Sequence, residues 1–163
     1  MSEKYIAYYE SPIGILEIAG TEKGIQSVSF VKKKPPKLPE IHPCLENSWR
    51  QLDEYFKGKR KEFSLKLELC GTDFQKRVWR QLRKISHGRT ASYGDVARAV
   101  GNGKAVRAVG NANGKNPISI IVPCHRVIGS NGDMVGFGGG IWRKKWLLRH
   151  EWVLSRRVPV RPR

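Results

Sequence analysis

The chain has 163 residues, a length typical of one domain or two small ones, and it carries 31 Lys and Arg against 14 Asp and Glu, a formal net charge of +17. No apolar run is long enough to span a membrane, and Met1–Ser11 lacks the apolar stretch of a secretory signal peptide. Three cysteines without CxxC spacing argue against a disulfide scaffold and a zinc ribbon. We therefore expect a protein of a reducing compartment, the cytoplasm.

The positive charge is concentrated in the second part of the chain. Residues 1–70 hold 12 basic and 10 acidic side chains, whereas residues 71–163 hold 19 and 4. This asymmetry predicts a polyanionic partner for the second part. Nucleic acid fits best, because neutralising phosphates drives binding whatever the base sequence. A merely solubilising surface is the alternative.

The first part is predicted to be a small α/β domain. Two strands, Ile15–Ile18 and Ile25–Phe30, are followed by apolar residues at helical spacing from Pro43 onward. Gly58 is placed to end that helix. Strict alternation of apolar and polar residues over Phe63–Leu69 predicts a half-buried strand.

The second part has the pattern of a helical domain. Thr72 and Gln75 form a capping-box pattern before the first helix. A second helix is predicted from Ser92 to Val100 and a third over Lys104–Asn111, with a glycine-containing turn between them. Such a pair predicts a helix-turn-helix. The predicted organisation is therefore a domain at 1–70, a domain at 71–155 and a basic tail at 156–163.

The third helix has a face of small residues from which Arg107 projects. The small residues are Ala105, Val106, Ala108, Gly110 and Ala112. Reading bases in the major groove takes several Arg, Asn, Gln or Lys side chains. This face instead suits close approach to a sugar-phosphate surface or a minor groove. Close packing between helices is the alternative interpretation.

A candidate nucleophile follows a short apolar segment. Ile118–Val122 is predicted to be buried and leads to Cys124, with His125 and Arg126 next in the chain. A neighbouring His and basic surroundings lower the pKa of a thiol and favour a reactive thiolate. An inert buried thiol is the alternative.

A glycine-rich loop with one aromatic residue, Gly136–Gly140, follows further on. It lacks the Lys-Ser/Thr ending of a P-loop, so it is better suited to form a wall over a planar ligand. In the helix predicted after it, Ile141–Leu154, Glu151 points toward the core and needs a partner. His125 is the candidate partner, and a surface ion pair with Lys144 or Lys145 is the alternative.

Together these strings resemble one family. IVPCHRVI at Ile121–Ile128, RAVGNANGKNP before it, and GFGGG and KKWLLRHE after it are similar to the O6-alkylguanine-DNA alkyltransferases, as are GTDFQKRVW and ASYGDVA. The resemblance implies a ribonuclease-H-like α/β domain with a small sheet and helix. A mostly α domain with a winged-helix-like helix-turn-helix is expected to follow it.

The resemblance also implies roles for single residues. Cys124 corresponds to the alkyl acceptor, His125 (through a bound water) and Glu151 to its activating relay, and Asn116 to the residue that orients the thiol. The implied guanine pocket comprises Tyr93, Val127, Phe137 and Gly138. The family usually has Tyr at the position of Phe137, and some members have Ser at that of Gly138.

For DNA binding, the resemblance implies that Arg107 enters the duplex as the lesion nucleotide rotates out. The helix face around it would lie in the minor groove, formed by Ala105, Val106, Ala108 and Gly110. The implied partner is double-stranded DNA with alkylated bases, bound with little sequence specificity. We expect the protein to act as a monomer and not to bind a membrane.

The implied reaction is a single, irreversible, stoichiometric transfer of an alkyl group from O6-alkylguanine in DNA to Cys124. Weaker activity on O4-alkylthymine is expected, and neither a metal nor an organic cofactor is needed. Two other classes fit the residues. One is a thiol hydrolase or acyltransferase using Cys124, His125 and Asn116, which would turn over repeatedly. The other is a non-catalytic lesion binder, which would not require a thiol.

Overall fold

The computed structural model describes residues 3–134 and 136–155. The predicted basic tail at 156–163 lies outside the described residues. Contacts between Cα atoms divide the chain into two compact units. The first holds the described residues up to Thr72 together with Pro117–Ile121, and the second holds 73–116 and the described residues from 122 onward. The boundaries that the sequence suggests, 1–70 and 71–155, stay predictions.

The first unit is built on a three-stranded antiparallel sheet in the order β1-β2-β3. Its strands and the helix that follows them are β1 (Tyr5–Ser11), β2 (Gly14–Thr21), β3 (Gly24–Val31) and α1 (Pro43–Phe56). Alternate residues of the strands and the apolar stripe of α1, including Leu16, Leu45 and Leu52, are buried in its core. A proline in the first turn begins α1, and Gly58, with a φ of 75°, follows its end.

Two features of this unit differ from the sequence prediction. Tyr5–Ser11 pairs with β2 along its whole length, although no strand was predicted there. The predicted strand at Phe63–Leu69 is wrong, because its only bridge in the structure is a parallel one between Ile25 and Leu67. Side-chain exposure does alternate at the start of the segment. The alternation therefore identified a half-buried segment, but one that is hydrogen-bonded to β3 only around Ile25 and is not paired along its length.

The second unit is mostly helical. Its elements are α2 (Asp73–Leu82), β4 (Ala91–Ser92), α3 (Tyr93–Ala99), α4 (Val106–Gly114), a short 3-10 turn (Cys124–Arg126), β5 (Val127–Ile128) and α5 (Ile141–Ser155). The strands β4 and β5 pair in parallel, and α2, α3 and α4 contact one another. The core between α2 and α4 contains Trp79, whose indole N–H donates to the carbonyl of Ala112 at 2.8 Å.

The helix-turn-helix is α3 and α4. Ser92 caps α3, accepting from the amide of Asp95 while the Asp95 carboxylate accepts from the amide of Ser92. Gly101, with a φ of 90°, lies just past its end. Helix α4 begins two residues later than predicted and extends three residues further. Within the described residues, no helix is long and apolar enough to cross a membrane.

Candidate active site

The turn that carries Cys124 is held in place by Asn116. The Asn116 side-chain amide donates to the carbonyl of Val122 at 2.8 Å, and the amide of Cys124 donates to the same carbonyl at 2.8 Å. Asn116 also hydrogen-bonds the Cys124 thiol. Since Asn116 is separated from the end of α4 only by Lys115, a short, hydrogen-bonded path connects the helix-turn-helix to the thiol.

Behind the thiol lies a buried ionic cluster. Nε2 of His125 is 2.7 Å from Oε2 of Glu151, and both side chains are fully buried. Arg126 binds the same carboxylate with two nitrogens, Nε to Oε1 at 2.8 Å and Nη2 to Oε2 at 3.0 Å. Its third nitrogen donates to the carbonyl of Ile85 at 2.6 Å. The predicted pairing of Glu151 with His125 is in the structure.

The charge of Glu151 sets the tautomer of His125. Burial alone raises the pKa of the Glu151 carboxyl, but His125 and Arg126 outweigh it and hold that pKa well below its usual range. The ionised carboxylate can only accept a hydrogen bond, so Nε2 of His125 carries the proton. Nδ1 then has the lone pair, and no described protein group hydrogen-bonds to it. His125 is thereby prepared to accept a proton at Nδ1.

The thiol itself differs from the sequence expectation of a lowered pKa. Burial is the largest effect and raises the pKa of Cys124. The hydrogen bond from Asn116 and the positive charge of Lys144 act in the opposite direction without cancelling it. Cys124 is therefore a buried, protonated thiol that needs a base.

Lys144 is a site residue that the sequence analysis interpreted only as a surface alternative. Its side chain is fully buried, and Nζ donates to the carbonyl of Val127 at 2.5 Å. Burial lowers the pKa of Lys144, and the proximity of Cys124 raises it. The sequence analysis likewise treated Arg126 only as one of the basic residues around the Cys124 thiol. No local pattern signals either residue, because the group that each one binds is distant in the chain, 25 residues away for Arg126 and 17 for Lys144.

Tyr93 and the glycine-rich loop lie together on another side of the site. The hydroxyl of Tyr93, a half-buried residue, would be 3.4 Å from a Cβ added at Gly136. Burial raises the pKa of Tyr93, as does the neighbouring Cys124 when it is ionised, while a hydrogen bond with Asn113 lowers it. Tyr93 therefore keeps its proton at neutral pH and can donate it. In the loop, the predicted wall residue Phe137 is buried and Gly138 is exposed.

The small-residue face of α4 is largely open. Val106, Arg107 and Ala108 are exposed, and Gly110 is half-buried. Ala105 is the N-cap of α4 rather than part of the helix. Ala112 is buried against Trp79 and belongs to the packing side. The packing interpretation therefore holds for Ala112, whereas close approach to nucleic acid by the exposed part of the face stays a prediction.

Comparison with known proteins agrees with this arrangement. A family model described as "6-O-methylguanine DNA methyltransferase, DNA binding domain" matches residues 73–153. A second, "6-O-methylguanine DNA methyltransferase, ribonuclease-like domain", matches residues 4–69. The fold and these two matches thus define the class of the protein, a methylguanine DNA methyltransferase.

Individual relatives match over nearly the whole chain. A methylated-DNA--protein-cysteine methyltransferase of Methanosarcina acetivorans is 47% identical over 152 residues, covering 90% of this chain and 97% of that protein. One of Mycobacterium leprae is 48% identical over 147 residues, covering 87% and 88%. The solved Mycobacterium tuberculosis O6-methylguanine methyltransferase superposes with a TM-score of 0.82 at 41% identity, covering 93% of this chain and 94% of that one. A crystal structure of Mycobacterium tuberculosis OGT in complex with DNA gives a TM-score of 0.82 at 44% identity, with coverages of 90% and 92%. The chain belongs to the 6-O-methylguanine DNA methyltransferase family.

Proposed function

We propose that this protein repairs DNA by transferring the alkyl group of O6-alkylguanine to Sγ of its own Cys124. The observation that carries the proposal is the buried cluster in which Glu151 fixes the tautomer of His125, directly beside Cys124 in the chain. A thiolate suits this reaction because attack on an sp³ carbon favours a soft, polarizable nucleophile. A base is needed because burial keeps the thiol protonated.

The transfer is a displacement whose atoms balance without a cofactor. Nδ1 of His125 takes the thiol proton, through a bound water, and Glu151 with its fixed charge stabilises the imidazolium. The S–C bond forms as the C–O6 bond breaks, and the electron pair of that bond passes into the guanine ring. Tyr93 donates a proton to the departing guanine and regains one from the imidazolium through solvent. The product is a thioether, which has no easy hydrolytic exit, so each protein molecule reacts once.

The pocket around this reaction would be closed by backbone and aromatic groups. Backbone groups at Val127 and the amide of Gly138 would line the guanine edge, and the ring of Phe137 would form the wall. O4-alkylthymine would react in the same way but more slowly. A free, reduced thiol is required, which fits the cytoplasm.

DNA binding supplies the substrate from inside a duplex. Flipping a nucleotide out of the stack costs a few kcal/mol, less for a mispaired base. The exposed small residues of α4 would let its backbone approach the minor groove, while Arg107 fills the gap that the nucleotide leaves. The positive charge of residues 71–163 would supply affinity with little sequence specificity. We propose that a monomer suffices.

The direct test is intact mass spectrometry after incubation with a duplex containing one O6-methylguanine. We expect a single added methyl group, located on the peptide that contains Cys124, and no second turnover when substrate is in excess. Cys70→Ser is the matched control, because Cys70 is an exposed cysteine and its loss should leave the adduct unchanged. Cys124→Ser should abolish the adduct and retain DNA binding. Multiple turnovers would point to a thiol hydrolase, and binding without any adduct to a lesion binder.

A further inference from the structure

Arg126 places a permanent positive charge inside the cluster that contains the base of the reaction. All three nitrogens of its guanidinium are hydrogen-bonded, Nε and Nη2 to the two oxygens of Glu151 and Nη1 to the carbonyl of Ile85. Nε2 of His125 binds the same carboxylate at 2.7 Å, and all three side chains are buried. One carboxylate is therefore shared by a cation that cannot lose its proton and by the imidazole that must accept one.

The sum of the charges in this cluster decides whether His125 is neutral before the reaction. With Glu151 ionised, Arg126 charged and His125 neutral, the three side chains carry no net charge. A proton taken from solvent at Nδ1 of His125 would leave a buried net positive charge, which is costly away from water. Without Arg126 the balance reverses, because a neutral imidazole would leave the buried carboxylate without that counter-ion. The added proton would then reside on His125, since an imidazole is more basic than a carboxylate.

The other titratable groups around the turn do not alter this comparison. Lys144 on α5 also disfavours an added positive charge, but its Nζ binds the carbonyl of Val127 and is there with or without Arg126. Tyr93 on α3 keeps its proton at neutral pH, because burial raises its pKa. Helix α2 packs against the turn as well, and the side chains that it buries are uncharged: Val78, Trp79 and Leu82.

A proton taken from Cys124 differs from a proton taken from solvent. Its transfer from Sγ to Nδ1 of His125 leaves the total charge of the site unchanged, because a thiolate forms as the imidazolium forms. The positive charge of Lys144 acts on that thiolate and favours it. A charge-balanced cluster can therefore take the proton of the thiol and still be free of a solvent proton before the reaction.

We propose that Arg126 is a positioning residue that holds the carboxylate of Glu151 and balances its charge, and so keeps Nδ1 of His125 unprotonated until the thiol gives up its proton. The proposal rests on the proposed function, in which His125 is the base for Cys124. Arg126 acts through the carboxylate that it binds. Its planar fork matches both carboxylate oxygens, whereas a lysine would supply the same charge at a single point.

Nitrogen-15 NMR of the histidine side chains tests this directly, because a ring nitrogen with a lone pair and one with a proton differ widely in chemical shift. The full chain is used with Cys124→Ser, which removes the thiol as a second titrating group, and a His125→Gln variant assigns the signals. At pH 7 we expect a lone pair on Nδ1 when Arg126 is present and a proton there in Arg126→Gln, whose amide can still donate to Glu151. Arg126→Lys should restore the lone pair. Lys145→Gln, which removes an exposed cation of α5, is the matched control and should keep it.

Transfer rates with the thiol present give a second measurement. The free base O6-benzylguanine is used as the substrate, so that DNA binding does not contribute, and the adduct is followed by intact mass at pH 7 and pH 9. In Arg126→Gln we expect the ratio of the pH 9 rate to the pH 7 rate to be about ten times that of the natural protein. Arg126→Lys keeps the charge without the fork, so it should be slower at both pH values with the natural ratio.

Each outcome supports or overturns the proposal. A proton on Nδ1 at pH 7 with Arg126 present would overturn it without any change at Arg126, so poor folding of a variant cannot hide that result. A lone pair on Nδ1 in Arg126→Gln would also overturn it. An equal loss of rate at both pH values in Arg126→Gln would assign Arg126 a purely structural role and contradict the proposal. The NMR result does not depend on alkyl transfer, so failure of the natural protein to form any adduct would instead refute the proposed function.

Discussion

The two units bury different kinds of polar residue. In the first, the buried polar side chains among the described residues are Thr21, Ser48 and Gln51, all uncharged. In the second they are Asn113, His125, Arg126, Lys144 and Glu151. Burying a charge costs far more than burying an amide or a hydroxyl unless the charge is paired and hydrogen-bonded. The second unit therefore carries the electrostatic cost, and it carries the reactive cysteine as well.

This contrast indicates which part of the molecule is built for chemistry. Perturbed pKa values concentrate where a group is both desolvated and near a specific charge. Burial and a neighbouring charge both act on the pKa of each of Cys124, Lys144 and Glu151, in opposite directions. Among the described residues of the first unit, the largest pKa change is that of the Tyr9 hydroxyl, which burial and its hydrogen bond to Asp53 raise. This hydroxyl has no nucleophile beside it. From this comparison we expect the near-neutral first unit to act as a scaffold and to take no part in the chemical step.

The largest effect should come from removing the charge at the centre of the cluster. Glu151→Gln leaves Arg126 and His125 buried without their counter-ion, so we expect a loss of about 3–5 kcal/mol of stability at pH 7. Because the pKa of Glu151 is lower in the folded protein than the ordinary 4.5, its ionised form stabilises the fold above that pH, and this contribution declines as the pH falls below it. Urea denaturation of both proteins at pH 7 and pH 4 measures this. A difference that grows toward low pH would contradict the assignment.

The Arg107→Ala variant tests whether this arginine takes part in base flipping or contributes only to the affinity for DNA. Flipping costs a few kcal/mol, so Arg107→Ala should slow transfer from a duplex about ten- to a hundred-fold while leaving transfer from a single-stranded oligonucleotide nearly unchanged. Single-turnover rates on both substrates provide the measurement. Lys104→Ala, at another exposed basic position just before α4, is the matched control. Equal losses on both substrates would remove Arg107 from the flipping role.

The sequence predicted most of the fold from local patterns. The distribution of apolar residues located β2, β3, α1, α2 and α5, and the glycine-containing turn separated α3 from α4. It missed β1, whose aromatic and polar residues give no clear alternation, and it predicted a strand at 63–69 that makes a single bridge. Exposure is set by the side-chain pattern, but strand pairing depends on a partner elsewhere in the chain. Local patterns cannot supply that partner.

The site residues show the same difference between what local patterns indicate and what depends on distant parts of the chain. Cys124, His125 and Glu151 were identified from short strings and a family resemblance, and the structure brings the last two together. Arg126, Lys144 and Asn113 were not, because a charged or amide side chain in a sequence is read as solvent-facing unless a distant partner is known. Arg126 finds its partner 25 residues away in Glu151. Only tertiary structure shows that these side chains are buried.

Replacing Lys144 should reduce the transfer rate moderately, and its pH dependence should distinguish the role of the charge from a role in packing. Its positive charge lowers the pKa of Cys124, so Lys144→Met, of similar length but uncharged, should raise that pKa. A rise of one unit would slow transfer about ten-fold at neutral pH. The pH–rate profile should also shift to higher pH, whereas a purely structural defect would lower the rate equally at all pH values. Lys145→Met, at an exposed neighbour, serves as the control.

The smallest effect should come from the uncharged interior of the first unit. Gln51 accepts from the amide of Ser64 at 3.0 Å and donates to its carbonyl at 3.3 Å. Ser64 is exposed, so water can replace the lost partner after Gln51→Leu, and the leucine adds apolar burial. We expect a loss of about 1 kcal/mol, the net value of an ordinary hydrogen bond, with no dependence on pH between 4 and 8. The transfer rate should be unchanged. Denaturation curves at both pH values, with the rate measured in parallel, would show it. A slowed transfer would mean that the first unit contributes to the reaction, and the contrast between the two units would then fail.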